Sequence, residues 1–433
     1  MTRLRVLAVA YACNPTRGSE DAVGWGWINV IAQQHHVTVI TADYNRQDIE
    51  VAGPASSSVW SNLQFRYVKN RSWHYSPWGK WARIEASPAK PIMNLAYTNW
   101  LDHALRLAET ETAASEFDLV HLITYVGWRF SGNFYRLALP FVWGPIGGLM
   151  NTPWRLMPAL GLKGATYYTG RNLVNSLQIA FLSGPRKALR KADGAVIAAT
   201  SEIQSALSTH FGSGSRVICE VGAPDVGIVE PQDRTPIEPI RICWSGPHVP
   251  GKALHLLLKA AALIPKESRF RIEILGDGPF RKNWHSLAQR LGIGDRCTWH
   301  GRLPRSGALE VMKTCHMFAI TSLKELTSTV VVEAISLGLP VVTLNHCGMA
   351  DLVTERCGIK VDVVSVDQII RDLSLAIMRL MNDETMRRSL SQGAFERSLD
   401  YSWSNKLASL NEVYSQALTS CNGAWRETAG SRQ

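Results

Sequence analysis

The chain has 433 residues, 46% of them hydrophobic and 19% charged, with a formal net charge of +10. That length suits two domains with substantial cores, and the composition excludes a disordered chain. Eight scattered cysteines without a C-x-x-C pair speak against a disulfide frame or cysteine zinc site, and no apolar stretch approaches a membrane span.

Val6-Leu7-Ala8-Val9-Ala10 reads as a buried parallel strand, not as the apolar core of an export signal. It feeds a loop containing Pro15 and Gly18, after which Ser19 is placed to cap a helix through Ile28 and Ile31. His35-His36 is expected at the surface, and no metal site is expected anywhere. Val37–Thr41 is the next strand. Leu119–Ile123, which carries His121, is another, and Pro140–Trp143 runs into the turn Gly144-Pro145-Ile146-Gly147-Gly148.

Two basic segments punctuate this half. Lys69 to Lys90 interleaves Lys69, Arg71, Lys80, Arg83 and Lys90 with Trp73, Tyr75, Trp78 and Trp81. Gly161 to Lys191 sets Lys163, Arg171, Arg186, Lys187, Arg190 and Lys191 around Leu173-Val174 and Ile179–Leu182. Cations beside apolar and aromatic residues are the makeup of a peripheral membrane contact, and a solvated basic face has the same makeup. Nucleic acid is not expected as a partner, because no recognition motif accompanies the charge. Ala195–Thr200, with Ser201-Glu202 capping the following helix, closes this half, and residues 226–240, rich in proline and acid, read as a linker.

Arg241–Ser245 opens the second half as a short strand leading into Gly246-Pro247-His248-Val249-Pro250-Gly251-Lys252, followed by a helix rich in Leu and Ala. Ile272–Leu275 ends in the turn Gly276-Asp277-Gly278-Pro279, and Cys297–His300 precedes the loop Gly301-Arg302-Leu303. Ser322 to Val342 carries the most information. Glu325 falls on a loop at a strand's end, and Glu333 about a turn into a helix with apolar residues at Val331, Val332, Ile335 and Leu339. Gly338 stops that helix and Pro340 starts a β-branched strand. A loop and helix N-terminus at the C-terminal edge of a parallel sheet is where nucleotide phosphates bind, and carboxylates there accept hydroxyl donors. After the next strand, Gly348 in Asn345-His346-Cys347-Gly348 supplies backbone freedom. At the end of the chain, Trp403 leads a helix through Leu407, Leu410, Val413, Tyr414 and Leu418.

This pattern resembles the retaining nucleotide-sugar glycosyltransferases of family 4, in particular a bacterial polysaccharide branch. The resemblance implies an α/β fold of GT-B architecture: two facing doubly wound Rossmann-like domains with an interdomain cleft. Residues 1–225 would form the acceptor-side domain, 226–240 the linker and 241–400 the nucleotide-sugar domain. The helix 401–422 would pack back on the first domain, and 423–433 would be a frayed tail. Glu325 would contact the donor sugar and Glu333 the ribose. Lys252 would face the diphosphate, with Gly246, Arg302, Thr327, Ser328 and Thr329 also on the donor, and Gly18 and His121 on the acceptor side. Lys252 and Glu325 are the implied catalytic pair.

The chain departs from the family at Pro247, where an arginine usually stands, and at Leu326 and Ser328, where glycines do. His248, Arg302 and Arg305 are the cations in reach of the missing charge. The implied activity is transfer of a sugar, most simply a hexose, from a UDP- or GDP-linked donor to a hydroxyl with configuration retained and without a metal or other cofactor. The acceptor would be a glycan or a lipid-linked intermediate of surface polysaccharide, reached in the cytoplasm or at the inner face of the membrane. A nucleotide-sugar 2-epimerase of the same architecture, or a scaffold subunit that has lost catalysis, are the competing readings.

Overall fold

The computed structural model describes residues 2–56, 59–69, 90–224, 227 and 238–430. Residues 70–89 of the first basic segment, and most of the expected linker, lie outside the described residues. The chain divides into two compact units. One comprises Met1–Met150, Ser176–Gly222 and Trp403–Gln433, and the other Asn151–Asn175 with Ala223–Ser402.

In the first unit, apolar runs form β1 (Arg5–Ala10), β2 (His36–Ala42), β3 (Leu63–Val68), β4 (Leu119–Thr124), β5 (Phe141–Ile146), β6 (Val196–Ala198) and the short β7 (Arg216–Val217). Every pairing is parallel and the strand order is β3-β2-β1-β4-β5-β6-β7. Val6 pairs with Val37 on one side and Leu119 on the other. Central strands covered on both faces are mostly apolar, and β4 and β5 are buried along their whole length, the polar His121 and Thr124 of β4 being satisfied by hydrogen bonds. The second unit repeats the plan with β8 (Ile240–Ser245), β9 (Phe270–Leu275), β10 (Cys297–Gly301), β11 (Met317–Ile320), β12 (Val341–Leu344) and β13 (Gly358–Val361). Their order is β10-β9-β8-β11-β12-β13, again all parallel. In each sheet the order reverses beside the first strand, between β1 and β4 and between β8 and β11. Successive crossovers leave in opposite directions there, and the carboxyl ends of those strands open a crevice.

Four details differ from the sequence reading. Residues 151–175 go with the second unit because Leu156, Met157, Leu160 and Tyr168 are buried in the core built around Ile242, Trp244, Leu257 and Leu373. The terminal helix runs from Trp403 to Gly430, past the expected fray at residue 423. It belongs to the first unit and buries Leu407, Leu410, Val413, Tyr414 and Ala417. The expected caps differ too: Ser19 occupies the N-cap position of helix Glu20–Ala32 at φ 59° and makes no side-chain cap bond, and helix Ser201–Phe211 is capped not by Ser201-Glu202 but by Thr200, whose hydroxyl accepts from the Ile203 amide. His35 is fully buried, its Nδ1 accepting from the Leu4 amide at 3.2 Å, and only His36 is exposed.

The Gly276-Asp277-Gly278-Pro279 turn is held by close approach of backbone. Gly276 has φ +113°, and a Cβ there would lie 2.0 Å from the Gly246 carbonyl oxygen. Neither the dihedral nor the space admits a side chain. Gly276→Ala is expected to destabilise the second unit by about 2–4 kcal/mol, read as a lower denaturant midpoint with unchanged slope. An unshifted midpoint would show that the turn relaxes freely.

Candidate donor site at the carboxyl edge of the second sheet

β8 ends at Ser245, and the chain passes through Gly246 and Pro247 to the 3-10 turn Pro250–Lys252 and helix Leu254–Ala262. β11 ends at Ile320 and runs through residues 321–328 into helix Thr329–Ser336. The two loops are adjacent because β8 and β11 are neighbours, and backbone joins them: the Leu323 amide donates to the Gly251 carbonyl at 2.8 Å. Thr321 Oγ1 lies 3.0 Å from the Ala253 carbonyl and 3.2 Å from that of Lys252, and accepts from Trp244 Nε1 at 3.4 Å. From the far side, His346 Nε2 donates to the Leu323 carbonyl at 2.8 Å, and the Gly348 amide to the Leu326 carbonyl at 2.9 Å. Gly348 itself begins a helix; the left-handed residue in that turn is Cys347, at φ 55°, not the glycine.

On this frame the Lys252 ammonium and the Glu325 carboxylate form an ion pair, their side chains 18% and 16% exposed. One helical turn beyond the loop, Glu333 is almost buried and accepts from Arg305 Nε at 2.6 Å, while Arg305 is largely exposed. The two carboxylates seen in the sequence are therefore each matched with a cation, Glu325 with Lys252 and Glu333 with Arg305. Thr327 and Ser328 are buried, Thr329 half-buried, and Ser328 stands at the N-cap of the helix. Arg302 is exposed just after Gly301, which adopts φ +69°.

His248 does not replace the missing arginine. It is fully buried among Trp244, Trp284 and Trp299, with ring centroids 5.7, 5.2 and 5.8 Å away, and neither ring nitrogen has a protein hydrogen-bond partner. Burial lowers its pKa from 6.5 to about 4, with Asp277 opposing and Arg281 adding to the shift, so the ring is neutral.

In the first unit, His121 is fully buried on β4. Its Nε2–H donates to the Gly144 carbonyl at 2.8 Å and its Nδ1 accepts from the Tyr414 hydroxyl at 2.9 Å. Burial lowers its pKa to about 4, and both nitrogens are used within the unit, so the expected acceptor-side contact finds no free ring atom. Gly18 is exposed, and a Cβ there would meet nothing within 4 Å, so packing does not require the glycine.

Glu20, two residues on, was not singled out by the sequence. Burial pushes its carboxyl up to about 7 against the Val126 amide, which donates to it at 3.4 Å; Glu220 and Asp21 add to the rise. It opens helix Glu20–Ala32, in electrostatic reach of Tyr97 and Tyr125, which belong to a set of rings in which Tyr11 meets Tyr44, Tyr97 and Tyr125 at 5.8, 4.9 and 4.8 Å. Glu220 is two hundred residues away in the chain, and no local signal brings it there.

Residues 231–397 match the family model described as Glycosyl transferases group 1. The D-inositol 3-phosphate glycosyltransferase of Mycolicibacterium smegmatis is 26% identical over 250 residues, 54% of this chain and 56% of that protein. The sulfoquinovosyl transferase SQD2 of Arabidopsis thaliana is 27% identical over 168 residues, 39% of this chain and 32% of that protein. The chain thus spans about half the length, or less, of these curated relatives. Among solved structures, the sucrose-phosphate synthase of Thermosynechococcus elongatus superposes with a TM-score of 0.65 at 17% identity, covering 96% of this chain and 100% of that one. The Anabaena protein HepE in complex with UDP gives 0.56 at 16% identity, covering 97% and 100%. These likenesses show the fold, which is GT-B with two parallel-sheet Rossmann-like domains.

The neutral state of His248 has a consequence for pH. Its folded pKa lies below its unfolded one, so between these values the unfolded chain binds more protons and stability falls as pH drops from 6.5 towards about 4. His248→Phe is expected to recover about 2 kcal/mol near pH 5 relative to the parent, with little change at neutral pH, in thermal melts across that range. Equal acid sensitivity in both proteins would mean that the ring is solvated.

Proposed function

We propose that this chain transfers a sugar from a nucleotide-sugar donor to a hydroxyl acceptor, and that the donor lies at the carboxyl edge of β8 and β11. The observation that carries the reading is the pairing of Glu325 with Lys252 and of Glu333 with Arg305 on one loop and helix at the switch point. A nucleotide sugar presents both complements at once, anionic phosphates for the cations and vicinal hydroxyls for the carboxylates. The group 1 match over residues 231–397 and the transferase names of the curated relatives support the same reading.

In this mechanism Glu333 accepts the ribose hydroxyls and Glu325 those of the donor sugar. Lys252 turns from Glu325 to the diphosphate, aided by Arg305, by Arg302 and by the amides at the helix N-terminus from Thr327 to Thr329. Gly246 lets the phosphates approach the β8 loop. The bond from the anomeric carbon to the phosphate oxygen breaks, the acceptor oxygen bonds to that carbon on the same face, and its proton passes to the departing phosphate. Configuration is retained and no enzymic nucleophile is used. A hexose from UDP or GDP is the donor we favour; HepE bound to UDP shows that a relative in fold takes that nucleotide. The acceptor would be a glycan or lipid-linked intermediate of bacterial surface polysaccharide, met on the first unit near Gly18 and Glu20.

Titration calorimetry with UDP and GDP tests the donor site. Micromolar binding of one nucleotide is expected, weakened at least about tenfold by Glu333→Ala, because two charge-assisted hydrogen bonds to the ribose are lost. The variant should melt close to the parent, since Arg305 is exposed and such pairs are worth about 1 kcal/mol or less. Binding of neither nucleotide would remove the transferase reading.

A further inference from the structure

Helix Gly161–Phe181 buries two asparagines and leaves several large apolar side chains in solvent. Its inward stripe is Tyr168, Asn172, Asn175 and Ile179, spaced four, three and four apart as one face of a helix requires. The two asparagines are buried and satisfied: Asn172 both accepts from the Thr152 amide at 2.9 Å and donates to the Thr152 carbonyl at 2.8 Å, and Asn175 donates to Asn151 Oδ1 at 2.9 Å. The outward face carries large apolar side chains, concentrated in its C-terminal half. Leu162, Leu173, Leu177 and Phe181 are 85%, 62%, 50% and 79% exposed, with Val174 beside them. Large apolar side chains turned to solvent along the last turns of one helix, while two asparagines are buried beneath, are not a by-product of core packing.

Along the sequence, the stretch that carries this helix bears charge of one sign. From Leu119 to Ala192 the chain contains nine Lys or Arg and no Asp or Glu. The following helix, Ser183–Ala192, buries Pro185, Ala188, Leu189 and Ala192 and turns Lys187, Arg190 and Lys191 to solvent. Among the described residues no helix is long and apolar enough to cross a membrane.

We propose that the outer face of helix Gly161–Phe181, with the cations of helix Ser183–Ala192, docks this protein on an anionic lipid surface. The helix lies in the plane of the interface with Leu173, Leu177 and Phe181 entering the acyl boundary, while Lys187, Arg190 and Lys191 meet lipid phosphates. An apolar stripe and a basic patch together are the two signals that stable peripheral binding requires. A second copy of this chain would bring like charge against like charge on this face, which favours lipid over self-association. The inference does not depend on sugar transfer, and nucleotide titration reads that separately.

The test is co-sedimentation of the full chain with phosphatidylcholine vesicles, with and without phosphatidylglycerol. The parent should sediment with the anionic vesicles, less so at high salt, and little with the neutral ones. Leu173→Asp with Leu177→Asp and Phe181→Asp, and separately Lys187→Glu with Arg190→Glu and Lys191→Glu, should each lower partitioning at least about tenfold. All six positions are exposed, so circular dichroism and nucleotide titration should match the parent. Vesicle binding unaffected by either set overturns the proposal. So does equal binding to neutral vesicles, or a parent dimer in sedimentation velocity that the Asp set converts to monomer without any vesicle binding.

Discussion

The junction between the β8 loop and the β11 loop is what the candidate site depends on. These loops leave adjacent parallel strands in opposite directions, so no helix covers the gap between them. They are held instead by the Leu323 amide on the Gly251 carbonyl and by Thr321 reaching the Lys252 and Ala253 carbonyls. This backbone lacing sets Lys252 beside Glu325. It also aims the following helix, so that Glu333 stands where Arg305 meets it. A shift of either loop would separate cation from carboxylate twice over. The Gly276 turn belongs to the same construction, because the Gly246 carbonyl leans on it.

The framework was legible because parallel strands covered on both faces must be continuous apolar runs. Val6–Ala10 is such a run, Ile242-Cys243-Trp244 and Ile272–Leu275 approach it with Glu273 as the exception, and Gly338-Leu339-Pro340 marks where a helix must stop and a strand begin. Glu325 and Glu333 could be assigned to loop and helix on those signals alone. What escaped was set by contacts distant in sequence. His248 is neutral because Trp284 and Trp299 close over it, and neither is visible from the His248 segment. Residues 151–175 follow the Gly144–Gly148 turn with no linker signal between, yet Leu156 and Tyr168 find their partners around Trp244. The freedom ascribed to Gly348 resides in Cys347, which a propensity argument would not choose.

The two histidines show how one residue type acquires opposite environments with the same charge state. His121 is satisfied at both nitrogens, and its burial costs little beyond the proton it cannot take up. His248 is satisfied at neither and is kept neutral by aromatic rings. Neither offers a cation to a phosphate. The cations at this edge are Lys252 and Arg305, each paired with a carboxylate, and the exposed Arg302.

That assignment explains why each cation is engaged. Lys252 and Glu325 are mostly removed from water, and either charge alone would bear a desolvation penalty of several kcal/mol in such a place. Paired, they keep each other satisfied. A ligand that offered only phosphate would take Lys252 and strand Glu325, while one that offered only hydroxyls would leave Lys252 competing for the same carboxylate. A ligand carrying both, at the spacing of an anion and a neighbouring diol, replaces each partner without leaving a buried charge alone. The same logic holds one turn on at Glu333, where the almost buried carboxylate depends on Arg305 and the exposed arginine is free to rearrange at little cost. On the proposed donor reading, selectivity at this edge arises less from attraction than from the cost of an incomplete exchange.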